Sequence, residues 1–274
     1  MAMEKIAQFI RAMIERVQYV RATELAAQLA FYFLLSLFPF LIFVVSLLPI
    51  IGFKGQEFIE LIRPYIPEEG MKIVDENLAS IFASTNKGLL SFGIIAAIWS
   101  ASNAINGIIR GLNHAYEIHE TRPFFVSRFL AILLTLGMIL VIVVALVLPV
   151  FGKLIGEFIF VHLGLTESFL VVWEAIRWLL SFVIISFVMT FLYYIGPNKS
   201  LKFRDVSIGG FAATAGWLVA SYAFSFYVSN FGNYSAAYGS LGGVIVLMLW
   251  FYVSAFIILL GGITNVVLHQ EQNK

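Results

Sequence analysis

At 274 residues, 61% hydrophobic and only 12% charged, the chain is too apolar for a soluble domain, in which about a quarter of residues carry charge. Its 17 basic residues are offset by 16 acidic ones, so the net charge of +1 gives no pull toward nucleic acid. It has no cysteine, which excludes disulfides and thiolate metal sites and leaves the redox compartment open.

The first element, MAMEKIAQFIRAMIERVQYVRA, places Ile6, Phe9, Ile10, Met13, Ile14 and Val17 at helical spacing opposite several basic residues. An N-terminal amphipathic helix of this kind lies on the inner membrane surface or packs, as a cytoplasmic helix, on neighbouring loops; both readings fit. Arg21 and Glu24 then precede a charge-free run, 25–53. It is too long for a signal peptide and lacks a small-residue cleavage pattern, so it is expected to be a mature span.

Further charge-free runs predict spans at 88–109, 129–152 and 178–198. After Asp205 no charge appears until Glu271, which leaves room for spans at 206–231 and 241–268 joined by the turn-forming FGNYSAAYGSLGG. The expected fold is therefore all-α: one polytopic membrane domain, 1–274, with six transmembrane helices. Residues 54–87 are too long for a tight turn. Their Phe58, Ile59 and Ile62, then Val74, Leu78, Ile81 and Phe82, predict two short amphipathic helices around RPYIPEEG. Residues 153–177 read as another amphipathic segment, leading into Trp173 and Trp178 as interfacial anchors.

Orientation follows from the basic residues flanking the spans. With the N-terminus in the cytoplasm, the inner side holds Lys5, Arg11, Arg16, Arg21, Arg110, Arg122, Arg128, Lys199, Lys202, Arg204 and Lys274. Those are eleven of the 17, leaving six for the outer loops, which are also the more acidic. Both termini are expected in the cytoplasm, and the amphipathic loop helices on the outer side.

Small residues predict close helix contacts. Ala212, Gly216 and Ala220 recur every fourth residue in the fifth span, with Gly209 and Ala213 one position away, and Gly107 and Gly111 form a GxxxG in the second.

Beside that GxxxG runs IWSASNAINGIIRGLNHAYEIHE, 98–120. Read as one helix, it places Asn103, Asn106, Arg110, His114 and Glu117 within an arc of about 80°. Two readings stay open. In one, the asparagines hydrogen-bond neighbouring helices while Arg110 snorkels to the inner headgroups. In the other, the stripe lines a ligand or transport pathway, because polar groups inside a membrane are costly and are commonly functional. Glu24 is the natural partner for Arg110, one turn from Gln28, and Asn265 near the inner end of the sixth span could join them. A metal site on His114, Glu117 and His119 is not expected, because His119 points away from the other two.

LAAQLAFYFLLSLFPFLIF, GLNHAYEIHETRPFF, YYIGPNKSLKFRDVSIGG and YGSLGGVIVLMLWFYVSAFIILLGG, in that order and over nearly the whole chain, resemble the YihY/BrkB family of bacterial inner-membrane proteins. The resemblance implies six helices with both ends in the cytoplasm, in the bacterial inner membrane. Many members carry the label ribonuclease BN, and some are called virulence factors linked to serum resistance. The family is associated with the cell envelope, and transport of lipid or another amphiphile is an idea attached to it. No catalytic residue transfers by position.

The nuclease label conflicts with the residues. Metal-dependent RNA cleavage needs clustered carboxylates or histidines in a wet, basic site. Glu68, Glu69, Asp75 and Glu76 cluster, but on the predicted outer side, and His114, His119, His162 and His269 are dispersed. No P-loop, GxSxG or HExxH occurs. The expectation is a non-enzymatic protein without metal or cofactor, whose partners are membrane lipids and, alternatively, envelope proteins, but not nucleic acid. Three functions fit: binding or transport of a lipid or other amphiphile, secondary transport of ions or small solutes, and a non-transporting scaffold. Substrate and oligomeric state stay open.

Overall fold

The computed structural model describes residues 2–47, 87–141, 167–231 and 241–272. Seven helices occupy them: α1 (Ala2–Val20), α2 (Ala22–Leu47), α3 (Lys87–Ala115), α4 (Phe124–Val141), α5 (Glu167–Ile195), α6 (Phe203–Phe231) and α7 (Leu241–Gln272). All but α1 are long and apolar enough to cross a membrane, and the chain is an all-α polytopic membrane protein. Residues 54–86, 153–166 and 232–240, with the predicted loop helices, the acidic cluster, His162 and the last turn, lie outside the described residues.

Two compact units make up the chain, Met1–Phe31 with Ser102–Lys274, and Tyr32–Ala101. In the smaller unit, α2 carries Pro39 inside the helix, and the Ser36 hydroxyl donates to the Phe33 carbonyl at 2.7 Å. Its part of α3 exposes Phe92, Ile95 and Trp99, as suits a helix facing hydrocarbon.

The larger unit is built around α6, which packs extensively on both α5 and α7. Glycine sets the closeness of both contacts. A Cβ on Gly210 would collide with Thr190 Oγ1 of α5, and one on Gly209 with the Gly261 carbonyl and Asn265 of α7. Ala213 is buried against Gly261 and Gly216 faces Ile257 of α7, whereas Ala212 is exposed, so the contact stripe on α6 draws on both predicted series. Hydroxyls are hidden locally: Thr135, Ser181, Thr190, Thr214, Ser221 and Thr264 each donate to the carbonyl four residues earlier. That satisfies them without a partner helix, as a membrane requires.

Several ends differ from the predicted spans. α3 continues past 109 to Ala115, α4 begins at Phe124 and α5 at Glu167. Charged residues flanking a span can continue its helix into the interface, so charge-free runs understate helix length. α1 is helical as predicted. It packs on α7, with Val20 buried and Phe9, Met13 and Val17 half-buried, while Ile6, Ile10 and Ile14 remain exposed.

Candidate functional site: a charged groove where α2 starts and α3 ends

The first turns of α2 run antiparallel to the last turns of α3. A Cβ on Gly107 would lie 2.6 Å from Leu29 Cδ2, and one on Gly111 would overlap Leu25. The GxxxG thus provides two steps into which Leu29 and Leu25 seat, the contact expected of it. Beside the seam an open groove of about 400 Å³ is lined by Val20, Arg21, Glu24, Leu25, Gln28, Arg110, Gly111 and His114. Four predicted site residues, Glu24, Gln28, Arg110 and His114, therefore share one concavity.

Their bonding corrects the predicted partnership. Glu24 pairs with Arg21 at 2.9 Å, not with Arg110. Arg21 lies three residues away, just ahead of the first residue of α2, so the pair forms without bridging two helices. Arg110 is exposed and has no hydrogen-bond or ion-pair partner among the described residues. His114 lies against α1: its ring stacks on Tyr19 with centroids 4.7 Å apart and planes 8° from parallel, and its Nε2 is 3.2 Å from the Tyr19 carbonyl.

The rest of the predicted set lies elsewhere. Asn103 accepts a 2.8 Å hydrogen bond from Arg128 of α4, and Asn106 is half-buried. Asn265 is buried at 1% exposure and does not join Glu24 and Arg110. Its Oδ1 accepts from Gly209 N at 2.7 Å and its Nδ2 donates to the Val206 carbonyl at 2.9 Å, which bolts α7 to the first turns of α6. Glu117 is off the helical stripe, because α3 ends before it. Ile118 N donates to the Asn113 carbonyl and Glu117 N to that of His114, a Schellman turn with Glu117 at φ 59° where glycine is usual. From there its carboxylate accepts from Arg16 of α1 at 2.7 Å.

Below the groove the chain ties two loops together. Asn113, 4% exposed, donates to Glu120 at 2.8 Å and accepts from Asn198 N at 2.8 Å. Asn198 Nδ2 donates to Thr121 Oγ1 at 2.7 Å. Arg122 donates to the carbonyls of Ile195, Gly196 and Pro197, which end α5 and would otherwise lack partners. Tyr116, between α3 and this cluster, has its phenol pushed well above the usual range, first by burial and second by the charge of Asp205. Sequence reasoning missed Asn113, Glu120, Arg122 and Asn198. Their signal was the Gly196–Pro197 stop, which leaves carbonyls for a nearby arginine to cap.

Chemically the groove offers an unengaged guanidinium, a carboxylate–guanidinium pair, an amide and an imidazole beside two apolar side chains. Among the described residues no three of His, Cys, Asp or Glu come together in a way that could hold a metal, and His114, Glu117 and His119 do not converge. A second hollow, of about 270 Å³, is lined by leucines of α4 with Val188, Phe191 and Leu192 of α5 and is almost wholly apolar.

Comparison with known proteins places this architecture. The ribonuclease-like protein YfkH of Bacillus subtilis is 46% identical over 264 residues, 96% of each chain. A UPF0761 membrane protein of Pseudoalteromonas atlantica is 26% identical over 278 residues, covering 97% of this chain and 89% of its own. Another, from Vibrio vulnificus, is 27% identical over 276 residues, covering 97% and 83%. No solved structure matches the chain. The family model described as virulence factor BrkB matches residues 13–274, and the chain belongs to that family of membrane proteins.

Proposed function

We propose that this protein binds, and in doing so moves or presents, an anionic lipid or similar amphiphile at the inner leaflet of a bacterial cytoplasmic membrane, with both termini in the cytoplasm. The observation that carries this reading is Arg110: an exposed guanidinium in a groove at a helix end, without a protein partner among the described residues, beside Val20 and Leu25. A guanidinium presents a planar fork that suits a phosphate or carboxylate. A lipid offers that anion together with hydrocarbon for the apolar flank.

The test is retention of phosphatidylglycerol by the purified protein, read by native mass spectrometry. Arg110→Ala is expected to lose most of the bound lipid with little change in melting temperature, and Arg110→Lys to recover only part. Should Arg110→Ala lower thermal stability markedly, with rescue by Glu24→Gln and unchanged lipid binding, the arginine is structural and the reading fails.

A scaffold role is the second reading, favoured by Asn103 and Asn265, which are engaged in joining helices. We also propose that the protein is not a nuclease, although one relative is named ribonuclease-like. The support is the dispersal of its four histidines and, among the described residues, the lack of any three metal-ligating groups that come together. Protein free of host nucleases is expected to leave RNA intact with Mg²⁺ or Zn²⁺; cleavage lost in a folded His114→Ala variant would overturn this.

A further inference from the structure

Besides the Arg110 guanidinium, the groove holds a second polar group with capacity to spare. Arg21 meets Glu24 on one oxygen: its Nε donates to Oε1 at 2.9 Å, and its Nη2 stands 2.9 Å from the same Oε1. The other carboxylate oxygen, Oε2, accepts no hydrogen bond among the described residues. An ionised carboxylate only accepts, at about four lone-pair sites, so Glu24 remains an acceptor in the groove wall. His114 differs, since its Nε2 already stands 3.2 Å from the Tyr19 carbonyl.

Helix register fixes the order of the two groups. Leu29 of α2 seats at Gly107 and Leu25 at Gly111. Arg110 Nη2 lies 4.0 Å from where a Gly107 Cβ would stand, so the guanidinium leans back along α3 to the level of Leu29. Glu24 is five residues nearer the start of α2, a rise of about 7.5 Å toward the membrane surface. The guanidinium is the deeper group and the carboxylate the shallower. A lipid with its chains in the hydrocarbon presents phosphate and then headgroup in the same order. Charge sets a second condition. Arg21 and Arg110 oppose Glu24 in the groove, which leaves one positive charge in excess. The single negative charge of a phosphodiester meets that excess. A terminal phosphate brings further negative charge toward Glu24, and juxtaposed like charges select against a ligand.

We propose that Glu24 determines the specificity of the groove. With Arg110 on the phosphate, Oε2 accepts a hydrogen bond from a headgroup hydroxyl, which selects a monoanionic, hydroxyl-bearing phosphodiester lipid over a bare phosphate. Arg21 holds the carboxylate in place for this by its grip on Oε1. The proposal rests on the headgroup reading of Arg110.

Competition on the full chain in detergent separates the two. The protein is offered equal amounts of phosphatidylglycerol, phosphatidylmethanol, phosphatidic acid and phosphatidylethanolamine with identical chains, and bound lipid is read by native mass spectrometry. Phosphatidylmethanol matches phosphatidylglycerol in charge but has no headgroup donor. The wild type is therefore expected to favour phosphatidylglycerol over it about tenfold, the size of one hydrogen bond to a charged group. Glu24→Ala is expected to bring that ratio close to one. Glu24→Gln keeps an acceptor oxygen and loses the charge, so part of the ratio should survive while phosphatidic acid binds several-fold better. Equal wild-type retention of phosphatidylglycerol and phosphatidylmethanol, or an unchanged ratio in Glu24→Ala, overturns the role of Glu24 while Arg110→Ala still loses every lipid. A wild-type preference for phosphatidylethanolamine means that Oε2 receives an ammonium, and overturns the hydroxyl-bearing class. Retention of all four lipids by Arg110→Ala instead overturns the headgroup reading, and selection by Glu24 with it.

Discussion

The loop cluster and the groove draw on the same residue types and treat them in opposite ways. In the cluster, Asn113, Glu120, Arg122 and Asn198 bond one another or the end of α5, and the buried Asn113 amide is engaged through both its oxygen and its nitrogen. In the groove, Arg110 is exposed and Glu24 is held, among the described residues, by a neighbour three residues away. An exposed pair of that kind contributes about 1 kcal/mol or less, so it is readily exchanged. Arg122 and Arg110 make the contrast sharpest. One guanidinium donates to three backbone carbonyls; the other stands beside an open hollow. Saturated polar groups near a membrane surface hold the fold, and unsaturated ones in a concavity are available for something else.

The largest effect is expected where packing tolerates nothing. Gly209→Ala puts a methyl group into the Gly261 carbonyl and Asn265, and α6 cannot retreat without leaving α5, where Gly210 is equally close to Thr190. A loss of about 3 kcal/mol is expected, the upper range for overpacking, read as a drop in unfolding midpoint in detergent. A shift under about 0.5 kcal/mol would mean that the α6–α7 seam is looser than its geometry, and that Asn265 is no bolt. Next comes Arg122→Ala, which removes three donors from the end of α5 and leaves Glu120 without its nearest cation. About 2 kcal/mol is expected, with lipid retention intact in the folded fraction. Lipid loss at unchanged stability would make the cluster part of the site and erase the contrast.

The architecture was legible from charge and hydropathy because a membrane imposes them: Arg21, Glu24, Asp205 and Glu271 bracket apolar runs that can only be spans. The glycine steps were legible too, as Gly107 and Gly111 receive Leu29 and Leu25. Pairing was not. Helical angles placed Glu117 with Arg110, but angles hold only while the helix continues, and a Schellman turn at a glutamate rather than a glycine gives no signal. Asn265 was assigned to the groove from its depth along α7 alone. Depth says nothing of which face of a helix a residue occupies, and Asn265 faces α6. Arg128 shows the same gap: counted only as a basic flank, it proves to be the partner of Asn103.

At Arg21, the left-handed residue between α1 and α2 (φ 54°), a smaller effect, of opposite sign, is expected. Arg21→Gly relieves the left-handed residue but loosens the unfolded chain and loses the pair with Glu24. The net change is expected to be a gain of about 0.5 kcal/mol or less, since strain relief slightly exceeds the exposed ion pair. A loss above about 1 kcal/mol would show that Arg21 is held by more than local geometry and belongs with the saturated group.

The smallest effect decides where the boundary between the two regions runs along α3. Asn103 is bonded to Arg128, Asn106 is half-buried one turn on, and Arg110 opens into the groove one turn beyond. Asn106 makes no hydrogen bond among the described residues. An amide without a partner among the described residues leaves none of them unpaired when removed, so Asn106→Ala is expected to change stability by less than about 0.5 kcal/mol. Asn103→Ala should cost more, about 1–2 kcal/mol, because it takes an acceptor away from the Arg128 guanidinium. Comparing the two midpoints in the same detergent isolates the bond, since both truncations remove the same atoms from the same helix. If Asn106→Ala proves as damaging as Asn103→Ala, the saturated region extends a full turn further and Arg110 stands alone. If Asn106→Ala is neutral to stability yet weakens phosphatidylglycerol retention, the open region reaches inward from the groove, and Asn106 is its next polar contact along the helix.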